Sequence, residues 1–277
     1  MKKRFISLLL AMCMTVGLCT GLSASAKELG MTDAVAIGAQ PEPEEEQEPF
    51  KVYLSPSSQF SNPYVNGGNE EQYMRQVAVA MIPFLEERGI DYVLAKEKRA
   101  IPESDWGNIL VLRAQEAYDT GCDLYLAIHS NATTADKAGT VSGTRIYYYT
   151  KNPESLRWAQ ITQRNFIYPD KSNILLATND RLIDMHTPKM PSILVETAYH
   201  DNVSDANWIK SHIYEIAESL AISVAEYRDV VYAEQAAQNQ DQTQNQTPEQ
   251  PAATPDPGLS GLQTNVYGPI YGIKFSS

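Results

Sequence analysis

Between Asp123 and His129 the chain reads Leu124-Tyr125-Leu126-Ala127-Ile128, with no charged or amide side chain among the five. A strand with one wet face alternates apolar and polar residues. A run without alternation predicts a strand covered on both faces, in the middle of a sheet flanked by helices. The segments around it fit that frame. Lys51-Val52-Tyr53-Leu54 predicts a first strand, followed by a polar loop from Ser55 to Asn69 that carries Pro56, Pro63, Gly67 and Gly68. From Glu70 to Arg88 the period changes: Tyr73, Val77, Met81 and Phe84/Leu85 recur at helical spacing, Gly89 stops the helix, and Pro83 bends it near its end. Ile90 to Ala95 predicts a second strand and Ile109 to Tyr118 a second helix. Thr144 to Tyr149 predicts a strand, Pro153 to about Phe166 a helix, and Ser192 to Val195 the last strand. Trp208, Ile213, Ile216, Leu220, Ile222 and Val224 mark a closing helical region. Strands alternating with helices imply an α/β fold, a single mixed, mostly parallel sheet with helices on both faces, phosphorylase/hydrolase-like. In such sheets the site belongs at the loops that follow the strand ends.

The two ends of the chain have other compositions. Met1-Lys2-Lys3-Arg4 leads into an apolar stretch from Ile6 to Leu22 and then Ala24-Ser25-Ala26. A basic start, a short apolar run and a small-x-small triplet predict a secretory signal peptide over residues 1–26, with no stable membrane span once it is cleaved. Residues 27–49 end in Pro41-Glu42-Pro43-Glu44-Glu45-Glu46-Gln47-Glu48-Pro49, an acidic leader expected to be disordered. Residues 50–231 form the expected domain. Residues 232–277 form a Gln-, Asn-, Thr- and Pro-rich tail with a short apolar segment from Leu262 to Phe275. Cleavage would remove Cys13 and Cys19 and leave Cys122 alone, so no intramolecular disulfide can form and a buried, inert thiol is expected. A formal charge of -12 argues against nucleic acid as a partner.

Three groups stand where the predicted elements begin or end: Glu70 opening the first helix, His129 closing the central strand and Glu196 closing the last strand. A histidine leaving a buried strand suits a metal ligand, because the scaffold fixes the ring. A satisfied structural histidine has the same pattern, and spacing does not choose between them. The wider succession is more specific. It runs from Asn69-Glu70-Glu71-Gln72-Tyr73 and Arg113 through Ala127-Ile128-His129-Ser130-Asn131-Ala132 and Gly143 before a Tyr-rich strand, to Pro191-Ser192-Ile193-Leu194-Val195-Glu196 and Tyr199-His200-Asp201-Asn202. Over nearly all of residues 51–227 this order resembles the zinc-dependent N-acetylmuramoyl-L-alanine amidases that cut bacterial peptidoglycan.

The resemblance implies a secreted or wall-associated hydrolase with peptidoglycan as partner, Zn2+ as cofactor, Glu70 and His129 as zinc ligands and Glu196 as catalytic base. It breaks at the first ligand. Where the family has Asp-Pro-Gly-His, this chain has Ser55-Pro56-Ser57-Ser58-Gln59, with no histidine in the loop. Gln59 and His200 are two alternative replacements, completing a set with Glu70 and His129. An amide oxygen is a poorer zinc donor than an imidazole. Two rival functions follow: a catalytically inactive wall-binding domain of the same fold, and a metallopeptidase acting on the stem peptide. The usual His-Glu-x-x-His signature of the latter is absent. Among the remaining polar residues, His186 is expected in a solvated turn, His212 in a structural or exposed setting, and Arg113 in an internal ion pair.

Overall fold

The structure, a computed structural model, describes residues 48–244. The expected signal peptide, residues 27–47 of the leader and the apolar segment 262–275 lie outside them. Six strands form one sheet: β1 (Lys51–Pro56), β2 (Asp91–Leu94), β3 (Leu124–Asn131), β4 (Thr144–Tyr148), β5 (Ile174–Thr178) and β6 (Ser192–Tyr199), in the order β2-β1-β3-β6-β4-β5. Every neighbouring pair is parallel except β4 with β6. The apolar run at Leu124–Ile128 is an inner strand, as its lack of alternation requires: residues 124–130 of β3 are all buried.

Alternation along the strands feeds two cores. Val52, Leu54, Leu124, Leu126, Ile128, Ile193 and Val195 point to one face. There α1 (Glu70–Glu87), α3 (Pro153–Asn165) and α6 (Ile213–Gln244) cover them, with Trp158 fully buried. Tyr53, Tyr125, Ala127 and Leu194 point to the other face, under α2 (Ile109–Asp119) and α4 (Ile183–His186), where Cys122 is buried as a free thiol. The α1 helix is placed by its caps. Asn69 accepts from the Gln72 N–H at 2.9 Å, and Glu70 and Glu71 occupy the first turn, where the helix dipole favours negative charge. Met74, Val77, Ala78, Met81 and Leu85 make its buried stripe, and Gly89 takes the left-handed φ of 62° that ends the helix.

Three features depart from the sequence reading. Ile174–Thr178 is an edge strand where none is predicted; five residues with only one residue fully buried carry too little pattern. The last strand does not stop at Val195 but runs to Tyr199, so Glu196 lies inside β6, just ahead of a register shift opposite His129 and Asn131. The closing helical region divides into α5 (Val203–Ser211) and α6, and α6 continues to Gln244, past the boundary drawn at residue 231. Beyond that boundary Tyr232 still packs on Phe50, and the turns that follow are rich in Ala and Gln. Ala and Gln favour a helix once one is nucleated, and the Arg157 Nη1–Glu234 Oε2 pair at 2.8 Å ties its emerging turn to α3. Among the described residues no helix is long and apolar enough to cross a membrane.

Candidate active site

His129 and Glu196 are partners in the parallel β3–β6 register, so their side chains leave the same face of the sheet side by side. Glu70 reaches them from the first turn of α1. His129 Nδ1 lies 2.9 Å from Glu70 Oε1, which also accepts from the Ser130 N–H at 3.4 Å; Asn62 Nδ2 donates to Glu70 Oε2 at 2.9 Å. Burial works to raise the Glu70 pKa, but the bond and charge of His129, with Asn62 and Ser57, outweigh it and hold the carboxyl below its ordinary value. Burial likewise works to lower His129, yet the Glu70 bond and charge and the Glu196 charge push it up to about 9. Burial raises Glu196 to about 7, opposed by His129 and assisted by Glu70 and Asp184. Two atoms of this group, His129 Nε2 and Glu196 Oε2, are buried without any hydrogen-bond partner among the described residues. Buried polar atoms are ordinarily paired, so these are the two the site leaves open.

The other expected ligands lie elsewhere. His200 is buried with Nδ1 2.9 Å from Ser130 O and 3.1 Å from Ser130 Oγ, and its ring stacks on Tyr64 at 5.1 Å. Ser130 follows His129 on the strand and presents its side chain to the opposite face, which carries His200 away from Glu70. Gln59 is exposed, and its Oε1 accepts from Asn62 Nδ2 at 2.8 Å, so it reaches Glu70 only through Asn62. Arg113 is buried but makes no ion pair among the described residues. It donates to Pro56 O at 2.7 Å, Ser55 Oγ at 3.2 Å and Lys96 O at 3.1 Å, tying the ends of β1 and β2 together beneath the site. His186 is exposed, and the half-buried His212 stacks on Trp208. Asn62 and Asp184 escaped the sequence reading. Asp184, buried in α4, accepts from Tyr125 Oη at 2.9 Å; it sits in the same turn as His186, where the histidine drew attention instead.

Residues 58–226 match the family model described as N-acetylmuramoyl-L-alanine amidase. The chain belongs to that family. It is 33% identical over 127 residues to the N-acetylmuramoyl-L-alanine amidase LytC of Bacillus subtilis (strain 168), a stretch that is 42% of this chain and 24% of that protein. The chain thus spans about a quarter of this relative's length. Among solved structures, an amidase from Clostridium difficile 630 superposes with a TM-score of 0.56 at 20% identity, over 66% of this chain and 98% of that one. The catalytic domain of CwlV from Bacillus (Paenibacillus) polymyxa var. colistinus gives 0.55 at 17% identity, over 65% and 99%. These likenesses establish the shared α/β architecture.

The family generally depends on zinc. A catalytic zinc site takes three protein donors, commonly imidazoles and carboxylates, and leaves a fourth position open. Of the expected set Glu70, His129, His200 and Gln59, the structure brings only Glu70 and His129 together. Among the described residues no group of three His, Cys, Asp or Glu converges as a metal site. Ser58 stands at the place of the missing histidine, buried to 8% exposure. The residues present therefore do not fit the family's three-ligand zinc centre. Putting the imidazole back should rebuild it. Ser58→His is expected to raise zinc affinity by more than about a hundredfold, since even an outer-shell partner of a ligand is worth roughly 10–100-fold. Isothermal titration with zinc measures it, and an unchanged affinity would show that position 58 does not reach Glu70 and His129.

Proposed function

We propose that the chain is exported and hydrolyses the amide joining N-acetylmuramic acid to L-alanine in peptidoglycan, with Glu196 as general base. Family membership supports the bond. The observation that carries the site is the pair of buried, unpartnered atoms, His129 Nε2 and Glu196 Oε2, on register partners of adjacent strands. A carboxyl raised to about 7 is poised to take a proton near neutrality and to return it. Water attacks the lactyl carbonyl carbon while its proton passes to Glu196. His129, held at Nδ1 by Glu70, presents Nε2 as the donor to the carbonyl oxygen as it becomes an oxyanion. Collapse breaks the C–N bond, Glu196 delivers the proton to the departing alanine nitrogen, and the products are a lactyl carboxylate and a new alanine amino terminus. Glu70 and Asn62 act by position, fixing the ring through Nδ1. No step is assigned to zinc, because the donor set does not assemble one.

The test is product analysis on purified peptidoglycan, with zinc supplied. New alanine amino termini without new reducing sugar ends support the reading. Amino termini of a residue deeper in the stem would make the chain a peptidase. Absence of any release would sink the enzyme reading in favour of a wall-binding domain.

A further inference from the structure

Arg145, Glu196 and His129 form one row across the sheet. Arg145 pairs with Glu196 in the antiparallel β4–β6 ladder, and Glu196 pairs with His129 in the parallel β6–β3 ladder. Directly opposed residues share a face, and neighbouring strands lie about 4.8 Å apart, so the guanidinium stem rises one strand beyond the proposed base. The head is held from one side only. Nη1 donates to Thr144 O at 2.8 Å and to Asn173 O and Oδ1, each at 3.3 Å, and the guanidinium carbon lies 5.8 Å from the Tyr199 ring centroid. Arg145 takes part in no salt bridge among the described residues, and its Nε and Nη2 are neither bonded nor buried. Tyr147, two residues along the same face, senses both the Glu196 and the Arg145 charge. The cation is thus oriented and unneutralised, and it stands apart from the base.

We infer that Arg145 is a specificity residue that binds the free α-carboxylate of the second stem-peptide residue. The inference rests on the proposed function. With the scissile amide over Glu196 and His129, the alanine nitrogen lies at the base that protonates it, and the stem peptide beyond it leads on across β4. The second residue, a D-glutamate joined through its γ-carboxyl, carries its free α-carboxylate one residue further, roughly 3.5 Å per residue along the peptide. That is shorter than the roughly 4.8 Å step to the next strand, and the long arginine side chain spans the difference. A guanidinium with its Nε–Nη2 edge open suits a carboxylate, and its neutral amide counterpart offers no charge and one fewer acceptor.

Two soluble substrates test this: N-acetylmuramoyl-L-alanyl-D-glutamate and the same compound with its α-carboxyl amidated. Binding and hydrolysis of both are measured with the parent chain and with Arg145→Gln. The parent should favour the acid by about tenfold in affinity and in kcat/KM, and Arg145→Gln should bring both ratios close to one. Because each ratio is internal to one protein, a folding defect that lowers both substrates equally leaves it unchanged. A parent that treats the two alike, or a variant that keeps the preference, overturns the assignment. Hydrolysis without discrimination would leave the amidase reading standing and remove Arg145 from it. Preferential binding of the acid without hydrolysis would do the reverse.

Discussion

Glu196→Gln should lower the release of alanine amino termini by about 10²–10⁴-fold, the usual worth of a positioned general base, while the protein melts close to the parent. The glutamine keeps the shape of the side chain and removes only the ability to accept and return a proton. Among the described residues Glu196 makes no ion pair and its Oε2 has no hydrogen-bond partner, so no structural bond is lost with the charge. Removing a buried carboxylate whose pKa is raised by burial also removes a desolvation cost. A variant that retains more than about a tenth of parental turnover would mean that another group takes the proton and that the row His129–Glu196 is structural.

Asp205→Ala should cost about 4 kcal/mol of stability, because one buried carboxylate serves three donors that would all be stranded. Its Oδ2 accepts from the Gly143 N–H and the Tyr199 N–H, each at 3.0 Å, and its Oδ1 from Tyr168 Oη at 2.7 Å. Asp205 is 2% exposed, so water does not replace these bonds without opening the structure. For a domain of this size the melting temperature should fall by roughly 8–16 °C. The carboxylate ties the start of β4 to the end of β6 through the first turn of α5. Those are the strands that carry Arg145 and Glu196, so activity at temperatures below the melt should fall as well. Asp205→Asn, which keeps one acceptor oxygen, should lose less. A drop of under about 1 kcal/mol in Asp205→Ala, read from denaturant unfolding, would show that the three donors find other partners.

The fold was legible because hydrophobic periodicity is local. The unbroken run at Leu124–Ile128, the helical stripe of α1 and the Gly89 stop all depend on neighbours within a few turns of chain, and the structure keeps them within a residue or two. Glu70 stands where α1 opens, as its position in the sequence suggests, whereas His129 and Glu196 were expected at strand ends but lie inside β3 and β6, which run on to Asn131 and Tyr199. β5 and the far end of α6 were not legible, for opposite reasons: the edge strand is too short and too little covered to show a pattern, and the last turns of α6 propagate from a helix nucleated inside the core.

The sequence by itself determined the α/β layering, the family, the order of the elements, and the loss of histidine from the loop after β1. Only the tertiary structure decided what that loss means. His200 is four residues from Glu196, an interval that alternation alone would keep on one face, but the register shift between them, where two residues of β3 span three of β6, brings its ring to Ser130 instead. Gln59, Asn62 and Glu70 are joined in a chain of hydrogen bonds that spacing does not reveal. The row Arg145–Glu196–His129 brings together residues from three strands, and only the register of the β4–β6 and β6–β3 ladders lines them up. Periodicity fixes which face a residue takes along its own strand. Which residues then stand side by side is set by packing and register between segments far apart in the chain.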